Sequence, residues 1–241
     1  MKVSARSQPF NAVERQFAAA YHKGAHFTSP KTKQQIRQRM KEVAYHEAGH
    51  VAAQAFTGFE WSHIVSASII PTATTLGRVT GNRSYTENCL SDFPMPFKQS
   101  MGWMMLLRIL GGRGAEKRFV GEDYEEEIVD SDSDELYEEG TDIYRAYAVA
   151  GMMCYPRMPY WRILSLAGRW TKEMMDLPAV WKAVENFAQL LLERGVIEDL
   201  EILHAAFGDI YRMSWKLPRW YRRLKCDEKS LVLNGLPAAA S

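Results

Sequence analysis

The stretch Val43 to His50, V-A-Y-H-E-A-G-H, constrains this chain more than any other. It sets His46 and His50 four residues apart with Glu47 between them. On a helix, residues at that separation share one face, one turn apart, so both imidazoles can reach the same small cation. Zn²⁺ takes histidine nitrogen readily, at about 2.0–2.1 Å. Glu47 is adjacent to His46, too close along the helix to serve comfortably as a third ligand. It is well placed to take a proton from a water beside the metal. The H-E-x-x-H pattern therefore predicts two zinc ligands and a general base. It also demands a rigid, shielded helix. The bland alternative is a helix with two ordinary histidines and a surface glutamate.

The neighbouring pattern supports such a helix. Ser29-Pro30 reads as N-cap and first helical residue, and the helix is expected from about 31 to 56. Ile36, Met40, Val43, Ala44, Val51 and Ala55 recur close to the helical period, and Gly58 is a plausible stop. Residues 63–70 are β-rich and end at Pro71; 76–80 reads as a second short strand. A second long helix is expected over 97–119, with Gly111-Gly112 inside it. A helical glycine costs roughly 1 kcal/mol against alanine, so the pair implies a bend or the close approach of another backbone. Met101, Met104 and Met105 read as core. Further helices are expected at about 142–153, 160–175, 179–194 and 198–213, with Gly195 as a stop, and one near 12–21. The expected fold is mainly α (α+β), with a small β-sheet beside the motif helix.

The 241 residues, 46% hydrophobic, suit one large domain with appendages. The division expected is a basic arm over 1–28, a domain over 29–213 and a tail over 214–241. The net charge of +1 names no partner, but the charge is unevenly spread. Residues 1–41 hold nine Lys/Arg and one acid, whereas 122–139 hold eleven acids and no base. Such runs usually form solvated faces or flexible arms. No nucleic-acid partner is expected: the basic residues form no recognisable reader, and Trp215, Trp220 and Tyr221 are more simply packing residues. Cys89, Cys154 and Cys226 form no Cys-x-x-Cys pair, which fits a reduced, cytoplasmic protein. No signal-peptide core is visible, and no apolar run approaches the roughly 18–20 residues of a membrane span.

A catalytic zinc wants three protein ligands and one open position. The metzincin extension fails, because Ala53 and Phe56 stand where it needs glycine and histidine. Glu116, on the second long helix, is better read as a supporting carboxylate than as a ligand. His22, His26, His63 and His204 are unclaimed and read as structural or solvent-facing.

Four segments, in order, resemble one family. V-A-Y-H-E-A-G-H (43–50) is similar to the zinc motif in the peptidase domain of FtsH-type AAA+ zinc proteases. I-I-P-T-A-T-T-L-G-R-V (69–79) resembles the strand segment that follows it there. L-G-G-R-G-A-E-K-R-F-V-G-E (110–122) resembles their L-G-G-R-A-A-E helix, and G-T-D-I-Y-R-A (140–146) their segment with the third ligand. The resemblance covers roughly 35–155. It implies His46, His50 and Asp142 as ligands of one Zn²⁺ per chain, and Glu47 as the catalytic base. The acidic insert departs from the family pattern and makes Asp132 and Asp134 rivals of Asp142. No Walker A sequence G-x-x-x-x-G-K-[ST] occurs, so the chain looks like a free-standing relative of that peptidase domain.

The expected activity is a zinc metalloendopeptidase, ATP-independent by itself, hydrolysing peptide bonds with a zinc-activated water and Glu47 as general base. Its expected partners are unfolded or flexible protein and peptide substrates, with a separate unfoldase or self-association as further options. The alternative is a non-catalytic, zinc-stabilised binding module that docks partners through its charged segments. The intact Glu47 argues against it, since a structural site has no use for a general base. In a third reading the acidic insert covers the metal and holds the enzyme inactive.

Overall fold

The computed structural model describes residues 11–21, 32–58, 64–81, 95–122, 141–153, 158–198 and 205–210. Within them the protein is mainly helical, with a small three-stranded antiparallel sheet. The helices are α1 (Ala12–Tyr21), α2 (Lys33–Thr57), α3 (Met95–Val120), α4 (Asp142–Met152), α5 (Tyr160–Met175) and α6 (Pro178–Arg194). The strands are β1 (Ile64–Ser68), β2 (Arg78–Gly81) and β3 (Val196–Ile197). Residues 205–210 are also helical. No described helix is long and apolar enough to cross a membrane.

The motif helix α2 begins later than the Ser29-Pro30 reading expects. Thr32 is its N-cap: the Thr32 hydroxyl accepts the Gln35 N–H at 3.2 Å, and the Gln35 side chain accepts the Thr32 N–H at 2.9 Å. This capping box satisfies two backbone donors that the first turn leaves without helical partners, a stabilisation of about 1 kcal/mol. Ser29 and Pro30 themselves lie outside the described residues. At the other end Gly58 adopts φ 67°, and its N–H reaches back to the Gln54 and Ala55 carbonyls.

From Val51 to Thr57 every residue of α2 is buried, so its second half runs through the middle of the protein. It lies there because α3 crosses it at glycines. A Cβ on Gly49 would collide with the Gly111 carbonyl oxygen and come within 2.6 Å of the Ala115 methyl. A Cβ on Gly111 would come within 2.6 Å of the Ala53 methyl. Thus α3 continues unbroken through Gly111-Gly112, and of the two explanations for that pair, close approach of a neighbouring backbone is the one realised.

Two apolar clusters flank this crossing. One joins α1, α2, the sheet and α6, with Phe17, Phe187 and Phe207 fully buried in it. The helix expected within the basic arm, α1, packs into this core through Phe17 and Tyr21. The other cluster joins the first half of α3 to α4 and α5, and includes Met101, Met104 and Met105. The sheet has the order β2-β1-β3, with Ala67 of β1 opposite Val79 on one side and Ile197 on the other. The brief strand β3 directly after Gly195 is not among the sequence expectations. A two-residue strand has no periodicity to read; pairing with β1 alone defines it.

Candidate metal centre

His46 and His50 stand on α2 one turn apart, and α4 delivers Asp142 to them from 92 positions further along the chain than His50. Asp142 is the first residue of α4. Its predecessor Thr141 caps the helix, with the hydroxyl accepting the Tyr144 N–H at 3.3 Å. A carboxylate in the first helical turn is favoured by the backbone N–H groups exposed there. Its Oδ2 is 3.1 Å from His46 Nε2 and 3.0 Å from His50 Nε2, and the two Nε2 atoms are 3.1 Å apart. These three atoms form a nearly equilateral triangle. They are also the one group of potential metal ligands found among the described residues. Asp132 and Asp134 lie outside the described residues, as do His22, His26, His63 and His204.

The other ring nitrogens orient the two imidazoles. His50 Nδ1 is 2.9 Å from the Arg108 carbonyl oxygen of α3, which can only accept, so this nitrogen donates. His46 Nδ1 donates to Glu116 Oε2 at 2.9 Å. Glu116 is held below the usual carboxylate range: burial alone would raise it, but His46 and Arg39 outweigh that. With both Nδ1 atoms donating, loss of any proton from the Nε2 atoms leaves two lone pairs and a carboxylate oxygen converging on one point. That arrangement accepts a cation. The same field acts on a proton: burial opposes charge on His46, yet the Asp142 and Glu116 carboxylates lift its pKa to about 10. Asp142 is held well below its ordinary value against its own burial, by His50 and His46.

The donor set fits zinc. Three ligands at about 2.05 Å around a tetrahedral centre lie roughly 3.3 Å from one another, within about 0.3 Å of the edges seen here. Histidine ligands of zinc usually donate their second N–H to a carboxylate or a carbonyl, which are the two partners present. The space is kept open by Gly112 of α3. A Cβ there would fall 2.7 Å from His46 Nε2 and nearer still to His50 Nε2. His46 and Asp142 retain 25% and 20% of their side-chain surface, so the triangle is reachable from solvent.

Glu47 lies beside the triangle and is only 5% exposed. Burial raises its pKa, with the two histidines pulling the other way. Gly77, just before β2, forms one wall of its slot: a Cβ there would come 2.5 Å from Glu47 Oε1 and 2.8 Å from Glu47 Cγ. A buried carboxylate of raised proton affinity next to a cation seat is suited to accepting a proton and releasing it again.

The structure brings together His46, His50 and Asp142, the residues that the resemblance implies as ligands, sets Glu47 beside them, and places the Glu116 carboxylate against His46. The sequence reading does not single out Arg39, whose Nη1 reaches Glu116 Oε1 at 3.0 Å, nor Gly77 and the Arg108 carbonyl. Arg39 precedes His46 by two helical turns, a spacing that would have put both on one face of α2. The Arg108 contact has no side-chain signal in the sequence. Compared with known proteins, the chain matches no family model, and no curated protein matches it either.

Proposed function

We propose that this protein is a zinc-dependent endopeptidase, with His46, His50 and Asp142 holding the metal and Glu47 acting as general base. The observation that carries this reading is the triangle of three acceptor atoms with a buried carboxylate beside it. The resemblance to FtsH-type peptidase domains supports it, since the four resembling segments meet around that triangle. The motif helix supplies His46, Glu47 and His50, and the L-G segment supplies Gly77. The L-G-G helix supplies Gly112 and Glu116, and the T-D segment supplies Asp142.

A zinc ion held by His46, His50 and Asp142 would supply Lewis-acid chemistry, lowering the pKa of a nearby water and polarising a carbonyl. The chain does the rest. Glu47 takes the proton of the attacking water and passes it to the leaving amine. The packed wall at Gly77 keeps its carboxylate aimed and dry. Substrate is held along β2, which among the described residues pairs with β1 on one side only and so offers its other edge to an extended chain. Because Gly77 directly precedes β2, a peptide on that edge passes the base. Arg78→Pro should then raise KM sharply; an unchanged KM would remove the edge from the mechanism.

The substrates are unfolded chains, flexible tails or peptides, unless a separate unfoldase delivers folded ones. The deciding experiment is metal analysis and peptide cleavage by the native protein, Glu47→Gln and His46→Ala. About one zinc per chain, kept in Glu47→Gln with cleavage lost and absent in His46→Ala, is expected. A native protein that takes up no zinc after reconstitution sinks the proposal. So does a Glu47→Gln variant that cleaves at the native rate.

A further inference from the structure

A chain of polar contacts runs from the surface of α2 to the metal triangle, and its outer member has no part in the chemistry above. Arg39 and His46 are seven residues apart on α2, two turns or about 10.5 Å along one face. Glu116 of α3 spans the gap and divides its carboxylate between them. Oε1 accepts from Arg39 Nη1 at 3.0 Å, and Oε2 accepts from His46 Nδ1 at 2.9 Å. Arg39 Nη1 also reaches Glu42 Oε2 on its own helix at 2.8 Å.

A carboxylate engaged at one oxygen can swing about that contact; engaged at both, it cannot turn without breaking one. The orientation of the Glu116 carboxylate sets the His46 ring, because Nδ1 must point at Oε2. The ring in turn aims Nε2 at His50 and Asp142. We infer that Arg39 is a positioning residue for the metal centre: by holding the far oxygen of Glu116, it locks the His46 ring with Nε2 directed at the cation. This inference rests on the zinc reading of the triangle.

The bland alternative is that Arg39 only ties α2 to α3 and to its own next turn. The two differ in what they leave unchanged. A tie between helices affects stability and leaves the geometry at Nε2 alone. A positioning residue changes metal affinity and the ligand field even where the fold persists. Loss of the outer partners of metal ligands weakens metal binding by about 10- to 100-fold, and Arg39, one contact further out, belongs at the lower end.

The test uses the full chain and zinc alone. Zinc affinity is measured by competition with a chromogenic chelator for the native protein, Arg39→Met, Arg39→Lys and Glu42→Gln. Visible spectra of the cobalt-substituted proteins are recorded alongside. Arg39→Met should bind zinc about tenfold more weakly, with shifted cobalt bands. Arg39→Lys supplies one N–H to Oε1, so it should recover affinity to within about threefold of native. Glu42→Gln removes only the other partner of Arg39 and should match the native protein in both readouts. A native protein that binds zinc, together with an Arg39→Met variant of native affinity and native spectrum, overturns this inference and leaves the zinc reading standing. A native protein that binds no zinc overturns both. If Arg39→Met is too unstable to assay, Arg39→Gln, whose shorter amide forfeits the reach to Glu116 Oε1, takes its place with the same two readouts. Native zinc affinity and native cobalt bands in Arg39→Gln defeat the inference.

Discussion

Gly112→Ala should separate metal binding from folding. The added methyl would lie 2.7 Å from His46 Nε2 and 2.7 Å from His50 Cε1, and closer to His50 Nε2. Atoms in such contact prefer about 3.5 Å, so the overlap is roughly 0.8 Å at the first two atoms and larger at His50 Nε2. Neither side can give way easily. Behind Gly112, α3 is pressed on α2 at Gly49 and Gly111, and the two rings are tethered at Nδ1 by Glu116 and the Arg108 carbonyl. Metal–ligand distances tolerate only about 0.2 Å, so the displacement should cost at least one of the three ligands. A 100-fold or larger loss of zinc affinity follows, about 2.7 kcal/mol. The metal-free fold should suffer far less. Alanine gains about 1 kcal/mol in a helix interior, against an overpacking cost of about 1–3 kcal/mol. The assay is chelator competition for zinc, with thermal melting of the metal-free proteins. Added zinc should raise the Tm of the native protein and leave that of Gly112→Ala nearly unmoved. A Gly112→Ala variant with zinc affinity within threefold of native would refute the placement of the metal at these nitrogens.

Four shorter predictions test other parts of the argument. Asp142→Ala should lose zinc while Asp134→Ala keeps it, by metal analysis; the reverse would move the third ligand into the acidic insert. Glu47→Gln should retain zinc and lose cleavage by about 10²- to 10⁴-fold, measured as kcat on an unfolded substrate. Gly77→Ala should lower kcat with zinc content unchanged, because its methyl would fall 2.5 Å from the Glu47 carboxylate. Glu14 of α1 is held below its ordinary pKa chiefly by the Arg37 side chain, 2.7 Å away. A lowered folded-state pKa contributes stability above the unfolded value of about 4.3, and that stability is lost as pH falls through the folded value. Denaturant unfolding of Glu14→Gln should therefore depend less on pH in the acid range than that of the native protein.

How much of this centre the sequence disclosed follows from the kind of force that makes each contact. His46, Glu47 and His50 are four consecutive helical positions apart at most, so helix geometry alone relates them, and five residues suffice to read it. Asp142 is related to them only by the packing of α3 and α4. Residue spacing does not reach it; the resemblance points to it, with Asp132 and Asp134 of the acidic insert as rivals. The start of α2 was misplaced because Ser29-Pro30 and Thr32-x-x-Gln35 are both legitimate helix openings. The second satisfies two backbone donors with side chains, and it prevails.

The glycines show the limit most clearly. A sequence can mark Gly111-Gly112 as costly within a helix, and so as having some purpose. It cannot say that one glycine admits the neighbouring backbone while the next clears the space before two imidazoles. That division depends on a rotation of about 100° per residue around α3, and hence on which face meets α2. The same helix turn that seats Gly111 against Gly49 brings Gly112 over the histidines and, four residues on, Glu116 behind His46. The close crossing and the candidate metal centre are therefore one construction. A substitution that pushes α3 away from α2, such as Gly49→Val, should loosen the hold on His46 and His50 before it exposes the core. The loss should appear as weakened zinc binding in a protein that still unfolds cooperatively. Native zinc affinity in that variant would mean that the triangle is held by contacts other than this crossing.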